Sequence, residues 1–289
     1  MKVLITGAAG QLGCALLAAA PSAFAVTALD RRKLDIAAPE ATRVAMSRYK
    51  PELILNAAAY TQVDRAETER EEAYAVNADG PHYLAEVANT IGARLIHVST
   101  DYVFNGNSSR PYRPADPTDP LNVYGASKLE GEKRVRSLCP ERTLILRSGW
   151  LYDAHGKNFV MTMLKLMCEQ EEIRVVTDEV GTPTWAKTLA RAVWLAAEQK
   201  TLHGIYHWTD GGVASRYEFA GAIQEEALAL GLLARPIRIR PIRTVEYPLA
   251  ARRPAYTVLD KAATIADFGL TPIHWRIALR QMLAELAHA

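Results

Sequence analysis

The sequence predicts an α/β protein built on a doubly wound parallel sheet, with a smaller α+β portion at its C-terminal end. Three observations carry this reading. Short apolar runs of buried-strand length recur through the first half, segments of helical spacing separate them, and the first run stops at a glycine-rich turn. Strands alternating with helices imply a parallel sheet with right-handed crossovers, whose ligand sites lie at the carboxyl ends of the strands.

Lys2 to Thr6 is the first strand, and after the turn Gln11 to Ala20 suits a helix ended by Pro21. Ala25 to Leu29, Leu53 to Asn56, Arg94 to Val98 and Thr143 to Leu146 are the next strands, with helices expected over Pro39 to Tyr49 and Pro81 to Ile91. Pro111, Pro114, Pro117 and Pro120 crowd the stretch from Arg110 to Pro120, which must therefore be an extended loop. Beyond Trp150 the rhythm loosens. Helical pieces near Asn158 to Gln170, Thr184 to Gln199 and Ser215 to Leu230 mix with short strands such as Gly204 to Trp208. The expected division is a sheet domain over 1–150 and a smaller portion over 151–289, with the chain free to cross between them.

At 289 residues the chain is long enough for such a sheet and a companion. Hydrophobic residues at 49% and charged residues at 23%, with 17 Gly and 15 Pro spread along the chain, exclude a disordered, collagenous or coiled-coil protein. With 34 Lys and Arg against 32 Asp and Glu, no broad basic field makes nucleic acid a partner, although Arg235 to Arg243 forms a local patch. No stretch approaches the roughly 20 apolar residues of a membrane span. The N-terminus imitates a signal peptide, with Lys2 ahead of apolar residues and Ala23-Phe24-Ala25 like a cleavage site. Gly7, Gly10, Gln11 and Gly13 interrupt its apolar core. Cys14, Cys139 and Cys168 are odd in number and lack C-x-x-C spacing, so neither a disulfide framework nor a zinc site is expected. The expectation is a cytoplasmic protein without membrane or nucleic-acid partners.

Gly7-Ala-Ala-Gly10-Gln-Leu-Gly13 lies between the first strand and first helix. Glycine permits the tight turn and close approach of backbone to a pyrophosphate, and the following helix offers unpaired N–H groups. The alternative is a plain βα turn; its place at the first strand favours a dinucleotide. Asp30 ends the second strand, where a carboxylate binds adenosine ribose hydroxyls and favours NADH, while Arg31 and Arg32 offer guanidinium groups to the 2′-phosphate of NADPH. Of 12 tyrosines only Tyr124 has a lysine four residues on, Lys128, on one face of a helix. A lysine ammonium and a positive nicotinamide stabilise a phenolate, bringing the phenol from about 10 towards a range useful for proton transfer, and the lysine can also hold a ribose. Ser99-Thr100-Asp101 ends the fourth strand. The Thr100 hydroxyl can orient a carbonyl beside the phenol; the other reading is a turn or helix cap.

These residues resemble the extended short-chain dehydrogenase/reductases with their Rossmann-like fold. The resemblance extends to the dTDP-4-dehydrorhamnose reductase family through Asn56-Ala-Ala-Ala-Tyr-Thr61, Val63-Asp64, Ala66-Glu67, Ser99-Thr-Asp-Tyr-Val-Phe104, Pro120-Leu-Asn-Val-Tyr-Gly125, Arg147-Ser-Gly-Trp150, Asn158-Phe159, Gly181-Thr-Pro-Thr184, Arg253-Pro254 and Leu259-Asp260. It covers nearly the whole chain. It implies reduction of the C4 ketone of a dTDP-linked 6-deoxyhexulose to dTDP-L-rhamnose, with NADPH or NADH as donor. Carried over by position, Gly7, Gly10, Gln11, Leu12 and Gly13 line the pyrophosphate, Asp30 and Arg31 meet the adenosine ribose, and Asp35 and Ile36 meet the adenine. Ala57, Ala59, Tyr60 and Thr61 border the cofactor. Tyr124 is the proton donor, Lys128 its partner, and Thr100 completes the catalytic set. Thr100, Asp101, Trp150, Asn158 and Arg253 meet the sugar nucleotide, Arg253 through its diphosphate or, alternatively, as a strut between the two parts.

Some members share Mg²⁺ between subunits through glutamates; Ala15 and Lys187 stand where two would lie, leaving Glu285, so no metal is expected. A homodimer is left open. A 4,6-dehydratase needs Glu where Tyr102 stands. The readings left open are a nucleotide-sugar epimerase and a non-catalytic module resembling the regulatory subunit of methionine adenosyltransferase.

Overall fold

The computed structural model describes residues 1–288. Its central feature is a parallel sheet of six strands: β1 (Lys2–Thr6), β2 (Ala25–Leu29), β3 (Leu53–Asn56), β4 (Arg94–Thr100), β5 (Thr143–Ser148) and β10 (Gly204–His207), ordered β10-β5-β4-β3-β1-β2. Both faces are covered, which is why the strands read as continuous apolar runs. Val3, Ile5, Leu53 and Leu55 pack with α1 (Gln11–Ala18) and α8 (Ala186–Glu198) on one side. Leu4, Ile54 and Leu95 pack with α2 (Pro39–Tyr49), α5 (Gly80–Ile91) and the end of α6 (Val123–Leu138) on the other. The strand order reverses beside β1, opening a crevice at the carboxyl ends of β1 and β3. Two short helices, α3 (Val63–Ala66) and α4 (Arg70–Tyr74), follow β3 at that crevice.

The smaller portion has its own core, where Tyr152, Met163, Ile173, Phe219, Ile223, Trp275 and Leu279 come together. They belong to β6 (Leu151–Tyr152), α7 (Phe159–Glu169), β7 (Glu172–Val176), α9 (Arg216–Ala229) and α11 (Trp275–Ala287), with β12 (Arg238–Ile242) paired in parallel to β7. Short pairs add β8 (Val180–Gly181) to β11 (Ala214–Ser215) and β6 to β9 (Thr184–Trp185). A single cut at residue 150 does not divide the molecule. The expected strand at Gly204 joins the main sheet beside β5, and α8 covers α1, with the Trp194 indole N–H donating to the Leu16 carbonyl at 2.9 Å. Phe268, at the end of α10 (Ala262–Phe268), joins the same core. On that face α1 covers only part of the larger sheet, and the later helices complete the apolar cover.

Candidate active site

The turn from β1 to α1 forms the first half of the site. Gly7 has φ +67°, and a Cβ there would lie 2.6 Å from the Ala58 amide, so only glycine lets the β1 and β3 ends meet this closely. Gly10 is the N-cap of α1 and supplies no side chain to its first N–H groups; the first turn holds no acidic residue. Those amides and the helix dipole favour an anion. A cavity of about 480 Å³ opens here, lined by Gly7, Gly10, Arg31, Asp35, Ile36 and the segment from Ala57 to Thr61. These residues fit a dinucleotide. Leu12 is an exception among the expected contacts: its side chain is buried in the sheet core, leaving only backbone to offer. Gly13 is likewise buried inside the helix.

Charges around the cavity are already paired. Arg31 lies 3.3 Å from Glu72 and 3.7 Å from Asp35, while Arg32 lies 3.3 Å from Asp30. The Lys33 amide donates to Asp30 and holds its carboxyl below the ordinary value. Gln62, Arg65, Glu69 and Glu72 also line the cavity and were not singled out from the sequence. They sit at the start of α3, on α3 and α4 and in the turn between them, where no glycine pattern or apolar rhythm marks a ligand contact. Tyr60 donates to Glu69, and burial pushes its phenol up to about 12.

The second half lies at the carboxyl end of β4. Thr100 Oγ1 donates to Asp101 at 3.0 Å and accepts from the Tyr102 amide at 3.1 Å, so it also caps the turn that follows. Asp101 is buried, which raises its carboxyl to about 6. Asn122 starts α6 by accepting from the Gly125 amide at 2.8 Å, which sets Tyr124 in the first turn and Lys128 in the second. Lys128 Nζ donates to the Val98 carbonyl at 2.7 Å. Burial lowers its ammonium to about 8, against the pull of Glu132. The phenol of Tyr124 departs from the sequence expectation. It is raised, not lowered, because burial dominates, with Asp101 and Tyr102 adding to the rise and the Thr100 hydroxyl offsetting part of it.

One buried network went unseen in the sequence. Glu132, one turn beyond Lys128, accepts from Ser99 Oγ at 2.5 Å and from Arg147 Nη2 and Nε at 2.6 and 2.9 Å. Arg147 also donates to the Pro114 carbonyl at 3.2 Å. Val98 and Ser99 thus bind Lys128 and Glu132 in succession, just before Thr100, which locks the register of α6 against β4. The signal available was the Lys-x-x-x-Glu spacing on one helix face.

Toward the smaller portion, Trp150 has φ +51°, a left-handed conformation that is strained for a bulky side chain. Asn158 caps α7, and its amide donates to Gln11 at 2.9 Å and to the Asp153 carbonyl at 2.8 Å. It therefore ties the smaller portion to the glycine turn. Arg253, expected at a diphosphate, takes the interdomain alternative in this structure: Nη1 and Nη2 lie 3.1 and 2.6 Å from the two Asp64 oxygens. Lys187 Nζ sits 2.7 and 2.6 Å from the two oxygens of Glu285, so an ammonium occupies the carboxylate where a shared Mg²⁺ would need open oxygen ligands. These residues do not fit that ion. Among the described residues no helix is long and apolar enough to cross a membrane.

Comparison with known proteins agrees with this geometry. The family model described as the RmlD substrate binding domain matches residues 1–288. The spore coat polysaccharide biosynthesis protein SpsK of Bacillus subtilis is 44% identical, covering 100% of this chain and 99% of its own length. The dTDP-4-dehydrorhamnose reductase of Aggregatibacter actinomycetemcomitans is 41% identical, covering 98% of each. Among solved structures, the dTDP-4-dehydrorhamnose reductase of Bacillus anthracis in complex with NADP superposes with a TM-score of 0.92 at 35% identity, covering 98% of this chain and 99% of that one. A glycine turn at the sheet crevice, a Thr–Tyr–Lys set at the end of β4 and a match along the whole chain lead to one assignment: the chain belongs to the dTDP-4-dehydrorhamnose reductase family.

Proposed function

We propose that the protein reduces the C4 ketone of dTDP-4-dehydro-L-rhamnose to the alcohol, giving dTDP-L-rhamnose for polysaccharide synthesis in the cytoplasm. The observation that carries this reading is the convergence of Thr100, Tyr124 and Lys128 at the end of β4, on the same sheet edge as the glycine turn. NADPH or NADH supplies a hydride to C4 when bound. The protein supplies the proton. Tyr124, whose phenol is held protonated by burial, donates to the developing C4 alkoxide. Thr100 orients the carbonyl oxygen, and Lys128 contributes positive charge that steadies the phenolate left behind. The core formed around β1 to β5 holds the cofactor; the smaller portion, with Trp150 at its border, closes over the sugar nucleotide.

Tyr102 supports reduction over dehydration. It stands where a dehydratase needs Glu, and burial pushes its phenol up to about 12, which holds the proton on and offers no carboxylate base for a C5 proton. The deciding experiment follows reduced-nicotinamide absorbance during conversion of the keto-sugar. One nicotinamide is consumed per sugar reduced. Conversion without consumption would identify an epimerase, and binding without conversion a regulatory module.

A further inference from the structure

Arg216 stands at the border of the two portions in an unusual state. Its guanidinium carbon lies 3.5 Å from the centroid of the Trp150 ring, and its side chain is 16% exposed. Its acidic neighbour is Glu179, 3.6 Å from Nε and itself buried. Among the described residues its two terminal nitrogens take no hydrogen-bond partner, and none of its nitrogens is shut away from solvent. Donors that reach solvent and are not taken up by the protein are open to the oxygens of an anionic ligand.

Three elements fix that posture. Arg216 is the first residue of α9, where Ser215 and Glu218 form a reciprocal capping box. The Trp150 indole is held by left-handed backbone after β5. Beneath it, a Cβ at Gly181 would fall 2.6 Å from the indole Cε2, so a glycine is required for the ring to lie there. A Cβ at Gly149, the residue before Trp150, would clash with the Asp101 carboxylate, which puts the stacked pair near the Thr100 end of β4, and Arg216 favours the charged forms of Asp101 and Tyr102. Arg253, the other arginine in reach of Tyr102, has its terminal nitrogens committed to Asp64 and the Ala251 carbonyl.

We infer that Arg216, held flat on Trp150, binds the diphosphate of the sugar nucleotide. The inference rests on the function proposed above. A planar fork of N–H donors matches phosphate oxygens two at a time, and exclusion of water by the indole strengthens each charge-assisted bond. Trp150 orients the fork; Glu179 keeps it from turning away.

The test uses the full chain and three probes, dTDP, thymidine and NADPH, titrated by calorimetry. Arg216→Met keeps the length and apolar contact with Trp150 but removes the charge. It weakens dTDP at least tenfold, leaves thymidine and NADPH affinities within twofold, and keeps Tm within about two degrees. Arg216→Lys retains a point charge without the fork and falls between. Unchanged dTDP affinity in Arg216→Met overturns the inference while leaving the proposed reaction standing, and so does equal weakening of dTDP and thymidine, since that reports a distorted pocket. A wild-type protein that binds NADPH but not dTDP overturns both.

Discussion

In the proposed reaction the proton comes from a single phenol, that of Tyr124. Tyr124→Phe removes the acid and nothing else, so kcat falls by about 10² to 10⁴ while NADPH affinity and Tm stay near wild type, measured by steady-state kinetics and fluorescence titration. Retention of near-normal kcat would remove Tyr124 from the mechanism. The Glu132–Arg147 pair behaves differently because both members are buried. Glu132→Gln strands a guanidinium in the core and costs about 3–5 kcal/mol by urea unfolding. Pairing it with Arg147→Met recovers most of that loss. The double variant then isolates the electrostatic role: Lys128 loses the carboxylate that supports its charge. Its ammonium, given up in the native enzyme as pH rises through about 8, is given up at lower pH. The alkaline limb of kcat/KM accordingly moves down, and a limb that stays in place would make the pair purely structural.

Among the elements, α6 and the β1–α1 turn carry the geometry. Asn122 accepts from Gly125 and donates to the Arg252 carbonyl at 2.8 Å, so one side chain both starts α6 and pins the segment before Arg253. Asn122→Ala loses about 1–2 kcal/mol of stability, read by denaturant unfolding, with kcat reduced because the first turn holding Tyr124 frays. An unchanged midpoint would show that α6 is positioned by packing alone. Much of this level was legible beforehand: the predicted bounds of α2, α5, α7, α8 and α9 differ from the observed ones by about two residues or fewer. The glycine turn was legible too, because its spacing encodes a backbone path. Glu132 and Arg147 were not, since a carboxylate on a helix face usually faces solvent, and only the register of α6 on β4 turns it inward.

Across the whole molecule, the two portions are tied by side chains from distant parts of the chain, Asn158 to Gln11 and Arg253 to Asp64. The Arg253 bond holds the Asp64 carboxyl below its ordinary value. This pair therefore stabilises the fold above the unfolded carboxyl value of about 3.9 and is lost as pH falls through the lower folded value. Asp64 is 39% exposed, so solvent screening limits the gain. Asp64→Asn costs at most about 1 kcal/mol at pH 7, and the difference from wild type shrinks toward pH 3 in parallel urea titrations. A difference that grows on acidification would contradict the sign of this coupling.

Local patterning was enough to predict the parallel sheet, the glycine turn and the Tyr–Lys pair, because each is signalled by residues within a few positions of one another. The return of β10 and α8 to the first sheet depended instead on which apolar faces remained uncovered once β1 to β5 had formed, a contest that no single segment records. The same is true of the arginines: Arg216 and Arg253 are alike in sequence, and three-dimensional neighbours alone gave one a carboxylate fork and the other an indole with open donors. Long-range pairing decides such roles because a guanidinium's chemistry is set by what desolvates and neutralises it, and those groups lie tens to hundreds of residues away.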